Sequence, residues 1–118
     1  MLAPQKKTSR GFHMKSDLPQ WSRRFQKTYG KIWKSFQLLG EECHRWGPLD
    51  VRTRRLVKVG IAVGAGSEGA LHSAVRNALA EGVSKDEIRH AILLSITTIG
   101  FPRAQAALSW AEDILSKK

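Results

Sequence analysis

Cysteine is almost absent from this sequence, which holds one, Cys43, among its 118 residues. A single thiol excludes a disulfide within one chain, and it excludes a C-x-x-C redox or zinc motif. Such cysteine usage fits a reducing compartment, so we expect a cytoplasmic protein. Cys43 is followed by His44, but neighbouring residues on a helix point in different directions and do not face each other. We therefore expect Cys43 to be a buried, unreactive thiol rather than an activated one.

Long hydrophobic runs are also missing. The longest apolar stretches, such as residues 91–99, fall far short of the ~20 residues that a membrane-spanning helix needs. The first fifteen residues lack the apolar centre of a secretory signal. We expect neither a membrane span nor an export signal. The 42% of hydrophobic residues is enough for one folded domain of modest size.

Acidic residues are half as frequent as basic ones, 10 against 20, which gives a net charge of +10. Residues 1–34 hold nine Lys or Arg and one Asp (+8), whereas residues 35–118 hold eleven basic and nine acidic residues (+2). We expect a disordered basic arm over residues 1–15 and a nearly balanced domain over residues 16–118. The arm, with the aromatic face from Trp21 to Trp33, offers nucleic-acid binding as one alternative. No helix-turn-helix, zinc or RNP pattern accompanies it, so we expect no nucleic-acid partner.

The remaining pattern is helical throughout. A first amphipathic helix, capped by Ser16 or Asp17 with Pro19 in its first turn, extends to about Leu39. Its apolar side chains recur at three- and four-residue steps, which predicts a stripe that packs in a core or at a subunit interface. The stripe consists of Trp21, Phe25, Tyr29, Ile32, Trp33, Phe36 and Leu39.

Residues 49–82 predict a helical hairpin. Asp50 is a good N-cap for one helix, and Gly64 and Gly66 end it, since glycine adopts the positive φ that helix ends need. Ser67 then caps a helix that reaches about residue 80, where Gly82 follows.

Two more helices complete the predicted fold. Ser84 and Glu87 form a capping box, and the helix that follows is apolar over residues 91–99, so we expect it to be central and buried. Its β-branched run, residues 96–99, also suits a strand, but the cap and the length favour helix. Pro102 opens the last helix, which reaches residue 114 or beyond. The prediction is an all-α domain of about five helices.

Four motifs occur in a particular order. They are L-D-x-x-T-R-x-L-V from Leu49, H-x-x-x-x-x-A-L-x-x-G from His72, S-x-x-E-I from Ser84 and G-F-P-x-A from Gly100. Together they resemble the carboxymuconolactone decarboxylase family, which includes the alkylhydroperoxidase D-like (AhpD-like) proteins. The resemblance covers residues 49–115 and, more weakly, the aromatic helix before them. It implies an AhpD-like helical domain that forms a symmetric homo-oligomer, often a trimer or a hexamer.

The peroxidase branch of that family carries C-x-x-C-x-x-x-H and a glutamate in the preceding helix. Counting back from Gly82 without gaps places these four roles on Ser67, Ala70, Ala74 and Arg55. None of the four can serve, because serine is not reversibly oxidised, alanine is inert and arginine does not accept a proton near neutral pH. Thiol peroxidase chemistry is therefore not expected, and only the family label connects this chain to it.

The decarboxylase branch needs a proton for the carbanion or enolate that is left when CO₂ departs. Glu68 and His72 share one helix face at i,i+4 spacing, so we predict His72 as general acid with Glu68 orienting it. Helix-dipole stabilisation alone also explains a glutamate at this position. Bidentate hydrogen bonds from an arginine can hold a substrate carboxylate. The candidates are Arg54, Arg55 and Arg103.

Neither a metal nor another cofactor is expected, because one histidine and one glutamate supply only two ligands; symmetric copies at an oligomer axis are the alternative. His13 and His90 receive no role. Two functions follow from the sequence: a lyase-like acid–base enzyme or binder of small carboxylates, and a catalytically silent oligomeric scaffold. A closed, filled space around His72 favours the scaffold, and a polar pocket converging on His72 and Glu68 favours the enzyme.

Overall fold

The computed structural model describes residues 20–117, in which all regular structure is helical. The seven helices are α1 (Gln20–Thr28), α2 (Gly30–Arg45), α3 (Val51–Ala65), α4 (Glu68–Ala80), α5 (Lys85–Leu93), α6 (Ile96–Ile99) and α7 (Phe101–Leu115). No strand occurs between residues 20 and 117, so the all-α prediction is confirmed. The expected basic arm and the expected cap at Ser16 or Asp17, with Pro19, lie outside the described residues.

The chain divides into two compact units between Pro48 and Leu49. The first unit contains α1 and α2, and the second contains α3 to α7. Across residues 20–117, no helix is both long enough and apolar enough to cross a bilayer.

In the first unit, the predicted aromatic helix is interrupted. Tyr29 leaves the helical conformation (φ −117°, ψ 51°), and α2 begins at Gly30. Glycine in a helix interior is destabilising by about 1 kcal/mol relative to alanine, so the chain breaks where the helix is weakest. Neither helix contains a buried residue, so the stripe does not pack in a core among residues 20–117. Packing of the stripe at a subunit interface stays a prediction. Its exposed members are Trp21, Tyr29, Ile32, Phe36 and Leu39.

Cys43 lies on α2 and is exposed, so the prediction of a buried thiol is wrong. The prediction followed from the orientation of His44 relative to Cys43, which does not determine whether the thiol is buried. Among residues 20–117, α2 has no buried residue, so its thiol side is not part of a core there.

In the second unit, α3 and α4 form the predicted hairpin, and the signals at its ends are confirmed. The Thr53 N–H donates to Oδ1 of Asp50 at 2.8 Å, which caps the start of α3. Gly66 takes a positive φ of 67° immediately after α3. The Ala70 N–H donates to Oγ of Ser67 at 3.1 Å, which caps α4. These local bonds satisfy backbone groups that a helix end leaves unpaired.

Helix α7 packs against α4 through small side chains. Its buried residues include Ala104, Ala107 and Ala111, and such short side chains let two helix backbones approach closely. The buried side of α4 includes Leu71 and Val75, both fully buried in the same core. Replacing a core leucine by alanine costs about 2–5 kcal/mol, so packing of this kind fixes α4 and α7 firmly against each other.

The predicted fourth helix is shorter and less buried than expected. The capping box of Ser84 and Glu87 is confirmed. However, α5 ends at Leu93, and Leu94 is 65% exposed, so the prediction of one buried helix through residue 99 is wrong. Oγ of Ser95 donates to the Ile92 carbonyl at 2.6 Å. A serine that bonds nearby backbone competes with the helical ladder, and the short α6 follows this turn.

Candidate active site

One histidine and two carboxylates meet where α4 packs on α7. Nε2 of His72 lies 3.0 Å from Oδ2 of Asp113 and 4.0 Å from Oε2 of Glu68. The ligand atoms of all three residues lie within 4.8 Å of one another. The structure therefore brings the two predicted catalytic residues together and adds a third that sequence reasoning missed.

The position of each side chain follows from local structure. The Ser67 cap sets the first residue of α4 at Glu68, so His72 is four residues on and shares its face. Asp113 lies in the last turn of α7, which ends at Leu115. The packing of α7 on α4 brings the side chain of His72 beside that of Asp113.

The cluster is accessible to solvent. The side chain of His72 is 24% exposed, and those of Glu68 and Asp113 are 55% and 58% exposed. The imidazole is thus held partly in the helix interface, while both carboxylates face outward. A small molecule or an ion in solvent can reach all three groups.

Asp113 carried one weak signal in the sequence. A carboxylate in the last turn of a helix is unfavourable, because that end of the helix dipole is negative. The last turn of α7 has no basic residue, yet it holds both Glu112 and Asp113. Arg89 neutralises Glu112 through two hydrogen bonds of 2.7 and 3.1 Å, and His72 is the partner of Asp113. An acidic residue in such a position indicates a partner elsewhere in the chain, although it does not identify that partner.

Two of the three predicted carboxylate-binding arginines lie towards the other end of the hairpin. Arg55 is 3% exposed, and its nearest charged partner is Glu81, at 3.9 Å. Burial lowers the pKa of Arg55, and the Glu81 carboxylate opposes that shift. Glu81 follows His72 by nine positions along α4, a rise of about 13 Å, so Arg55 does not join the cluster. Arg54, next to it on α3, is half-buried.

Arg103 lies at the turn end of the hairpin. Its Nη2 donates to the Gly64 carbonyl at 2.9 Å, and a Cβ at Gly66 would lie only 2.8 Å from that nitrogen. The guanidinium therefore packs against the turn that leads into α4, two residues before Glu68. Arg103 is exposed. Of the three predicted arginines, it is the one that contacts the turn just before α4.

The four positions that would carry redox chemistry have other roles in the structure. Ser67 is the α4 cap, Ala70 is exposed, Ala74 is 8% exposed and Arg55 faces Glu81. Cys43, the single thiol of the sequence, belongs to the first unit. The hairpin thus holds acid–base groups and no sulfur.

Comparisons of the sequence with known proteins identify one family. The sequence profile of the carboxymuconolactone decarboxylase family matches residues 31–113, which includes most of α2. A protein named 4-carboxymuconolactone decarboxylase, from Acinetobacter baylyi, is 35% identical over 75 residues, covering 64% of this chain. The match takes in 55% of that relative, so the chain spans about half its length. No solved structure matches the chain significantly. The chain belongs to the carboxymuconolactone decarboxylase family.

Proposed function

We propose that this protein is an acid–base enzyme acting on a small cyclic carboxylate, with His72 as its proton donor. The observation that supports it is the 3.0 Å contact between Nε2 of His72 and Oδ2 of Asp113. A histidine positioned by a carboxylate is a common arrangement for proton transfer, because the carboxylate fixes both the ring orientation and the tautomer. The name of the Acinetobacter baylyi relative, 4-carboxymuconolactone decarboxylase, provides a candidate substrate, 4-carboxymuconolactone.

In the proposed reaction, Nε2–H of His72 donates to Asp113, and Nδ1 faces the substrate. Among residues 20–117, Nδ1 has no hydrogen-bond partner. The bond between the substrate carbon and its carboxylate breaks, CO₂ leaves, and the electron pair remains on the carbon as an enolate. The imidazolium gives the Nδ1 proton to that carbon, and the neutral ring regains a proton from water. Glu68, 4.0 Å from Nε2, adds negative charge that stabilises the imidazolium.

Arg103 is the predicted carboxylate-binding residue that best fits this proposal. One of its nitrogens is used by the Gly64 carbonyl, and the other N–H groups remain available for an anionic substrate group. Arg55 fits less well because it is buried beside Glu81. Arg54 is next to it on α3, towards the same end of the hairpin.

The test is turnover of 4-carboxymuconolactone and related cyclic carboxylates, followed as CO₂ release. His72→Gln should lower kcat by about 100-fold or more, the usual contribution of a general acid. His90→Gln is the matched control, since His90 is exposed on α5 and lies outside the cluster. Equal rates for the wild type and His72→Gln would refute the role of His72, and no turnover by the wild type would refute the activity.

The second candidate is a silent oligomeric scaffold. The observation that favours it is the exposed apolar face of α2, where Ile32, Phe36 and Leu39 are each more than half exposed. Contiguous apolar surface of this kind is typical of subunit interfaces. We propose a cytoplasmic homo-oligomer, a trimer or a hexamer, in either case. An oligomer that neither binds nor converts any carboxylate would establish the scaffold over the enzyme.

A further inference from the structure

We propose that Glu68, His72 and Asp113 bind a divalent first-row transition-metal ion of the Zn²⁺ type. The sequence alone predicted no metal, because it offered two ligands at this place. Asp113 supplies a third, which is the number of protein ligands that open zinc sites usually have.

The separations of the ligand atoms suit one small ion. Ligand bonds of about 2.0–2.2 Å place neighbouring ligands of a tetrahedral ion roughly 3.4 Å apart. The separations from Nε2, 3.0 Å to Asp113 and 4.0 Å to Glu68, lie on either side of that value, and all three ligand atoms lie within 4.8 Å of one another. Both carboxylates are exposed, so their side chains can close the remaining gap of roughly 1–1.5 Å without a change in the core.

The charges around the cluster give a separate reason. The second unit has seven acidic side chains, and five of them have partners elsewhere. Glu81, Asp86, Glu87 and Glu112 each pair with an arginine, and Asp50 caps α3. Among residues 20–117, the charged contacts of Glu68 and Asp113 are with His72 alone. With a neutral imidazole the cluster carries a charge of −2, which a divalent cation neutralises.

The ligand set also selects the class of ion. Imidazole nitrogen suits Zn²⁺, Co²⁺ and similar ions, whereas Mg²⁺ and Ca²⁺ prefer oxygen ligands alone. Three protein ligands leave at least one position open to solvent. An ion bound at Nε2 takes the place of the proton shared with Asp113, so it competes with imidazolium formation. The bound ion should therefore inhibit proton donation by His72. This inhibition rests on the proposed function, whereas ion binding itself does not.

The experiment is calorimetric titration of the full chain with Zn²⁺, and with Mg²⁺ as the hard-ion comparison. All proteins carry Cys43→Ser, because the exposed thiol beside His44 is a competing zinc ligand. We expect one Zn²⁺ per chain, at least about tenfold weaker binding in Asp113→Asn and in His72→Gln, and no change in His90→Gln. Glu68→Gln provides a second carboxylate test, and thermal unfolding shows whether each variant is folded.

Absence of saturable Zn²⁺ binding, equal binding in the parent and the cluster variants, or preference for Mg²⁺ would overturn the proposal. Because these measurements use no substrate, they separate the metal site from the proposed activity. Zn²⁺ binding without decarboxylation would refute the proposed activity and support the metal site. Decarboxylation without Zn²⁺ binding would support the activity and refute the metal site.

Discussion

Nε2 of His72 lies 3.0 Å from Oδ2 of Asp113, although 41 positions separate the two residues in the sequence. The contact joins the first turns of α4 to the last turn of α7, and both helices contribute to one buried core. The orientation of the imidazole therefore depends on how these helices pack as well as on its own helix. Glu68, which shares the α4 face with His72, is the more distant carboxylate at 4.0 Å.

Asp113→Asn should reduce catalysis more than Glu68→Gln does. The amide keeps the shape of Asp113 but lacks its charge, so the imidazolium loses its nearest anion, whereas Glu68 is 1 Å farther away. We expect kcat to fall about tenfold or more in Asp113→Asn. Steady-state CO₂ release with both variants measures this. A larger loss in Glu68→Gln would assign the orienting role to Glu68 instead.

Ser67→Ala should destabilise the second unit. The hydroxyl of Ser67 accepts the Ala70 N–H at 3.1 Å, and loss of an N-cap costs about 1 kcal/mol. The free energy of unfolding, measured by urea denaturation, reports the change. Ser73→Ala on the exposed face of α4 is the matched control and should alter stability by less than about 0.5 kcal/mol. Equal stability of the two variants would show that the cap contributes nothing.

Acid should weaken the ion pair between Arg89 on α5 and Glu112 on α7. Hydrogen bonds from Arg89 and Ser116 lower the pKa of Glu112 from 4.5 to about 2. Because the folded-state pKa is depressed, this stabilisation is complete above about pH 4.5 and is lost as the pH falls towards about 2. The free energy of unfolding should decline over that interval, and Glu112→Gln should flatten the decline.

Asp86→Asn is the control for this measurement, because Asp86 bonds the same Arg89 through a single 3.1 Å contact and its side chain is 92% exposed. Its effect on the acid limb should be the smaller of the two. An unchanged acid limb in Glu112→Gln would contradict the assignment.

Phe36→Glu should dissociate the proposed oligomer. Phe36 is 57% exposed on α2, and a charge placed in a subunit interface is strongly unfavourable when it is buried there. Light scattering after size-exclusion chromatography measures the mass directly. Lys34→Glu places the same carboxylate on the same helix by reversing an existing charge at a position outside the aromatic stripe, and it should leave the mass unchanged. A monomeric wild type would contradict the interface.

The sequence was most informative where a structural feature depends on a few adjacent residues. Asp50, Ser67 and Ser84 each cap the helix that follows, because a cap needs only a side chain and the next turn of backbone. Glycines with positive φ mark the ends of α3 and α4 for the same local reason.

Features that depend on packing were less predictable. The approach of Asp113 to His72 requires the register of α7 on α4, which no local pattern encodes. The sequence indicates only that His44 does not face Cys43, and this says nothing about burial; among residues 20–117 the thiol is exposed on α2. The turn at Ser95 depends on a serine bonding its own backbone, a choice that competes closely with helix continuation.

The burial of Arg55 and Ala74 limits which side chains this hairpin can accept. Introducing the redox residues of the peroxidase branch would require Ala74→His, which places an imidazole at a position only 8% exposed. It would also require Arg55→Glu, which sets a second carboxylate against Glu81 at the place of the present ion pair. Each substitution is harmful unless its neighbours change as well. The surrounding core therefore opposes the introduction of thiol peroxidase residues by single substitutions.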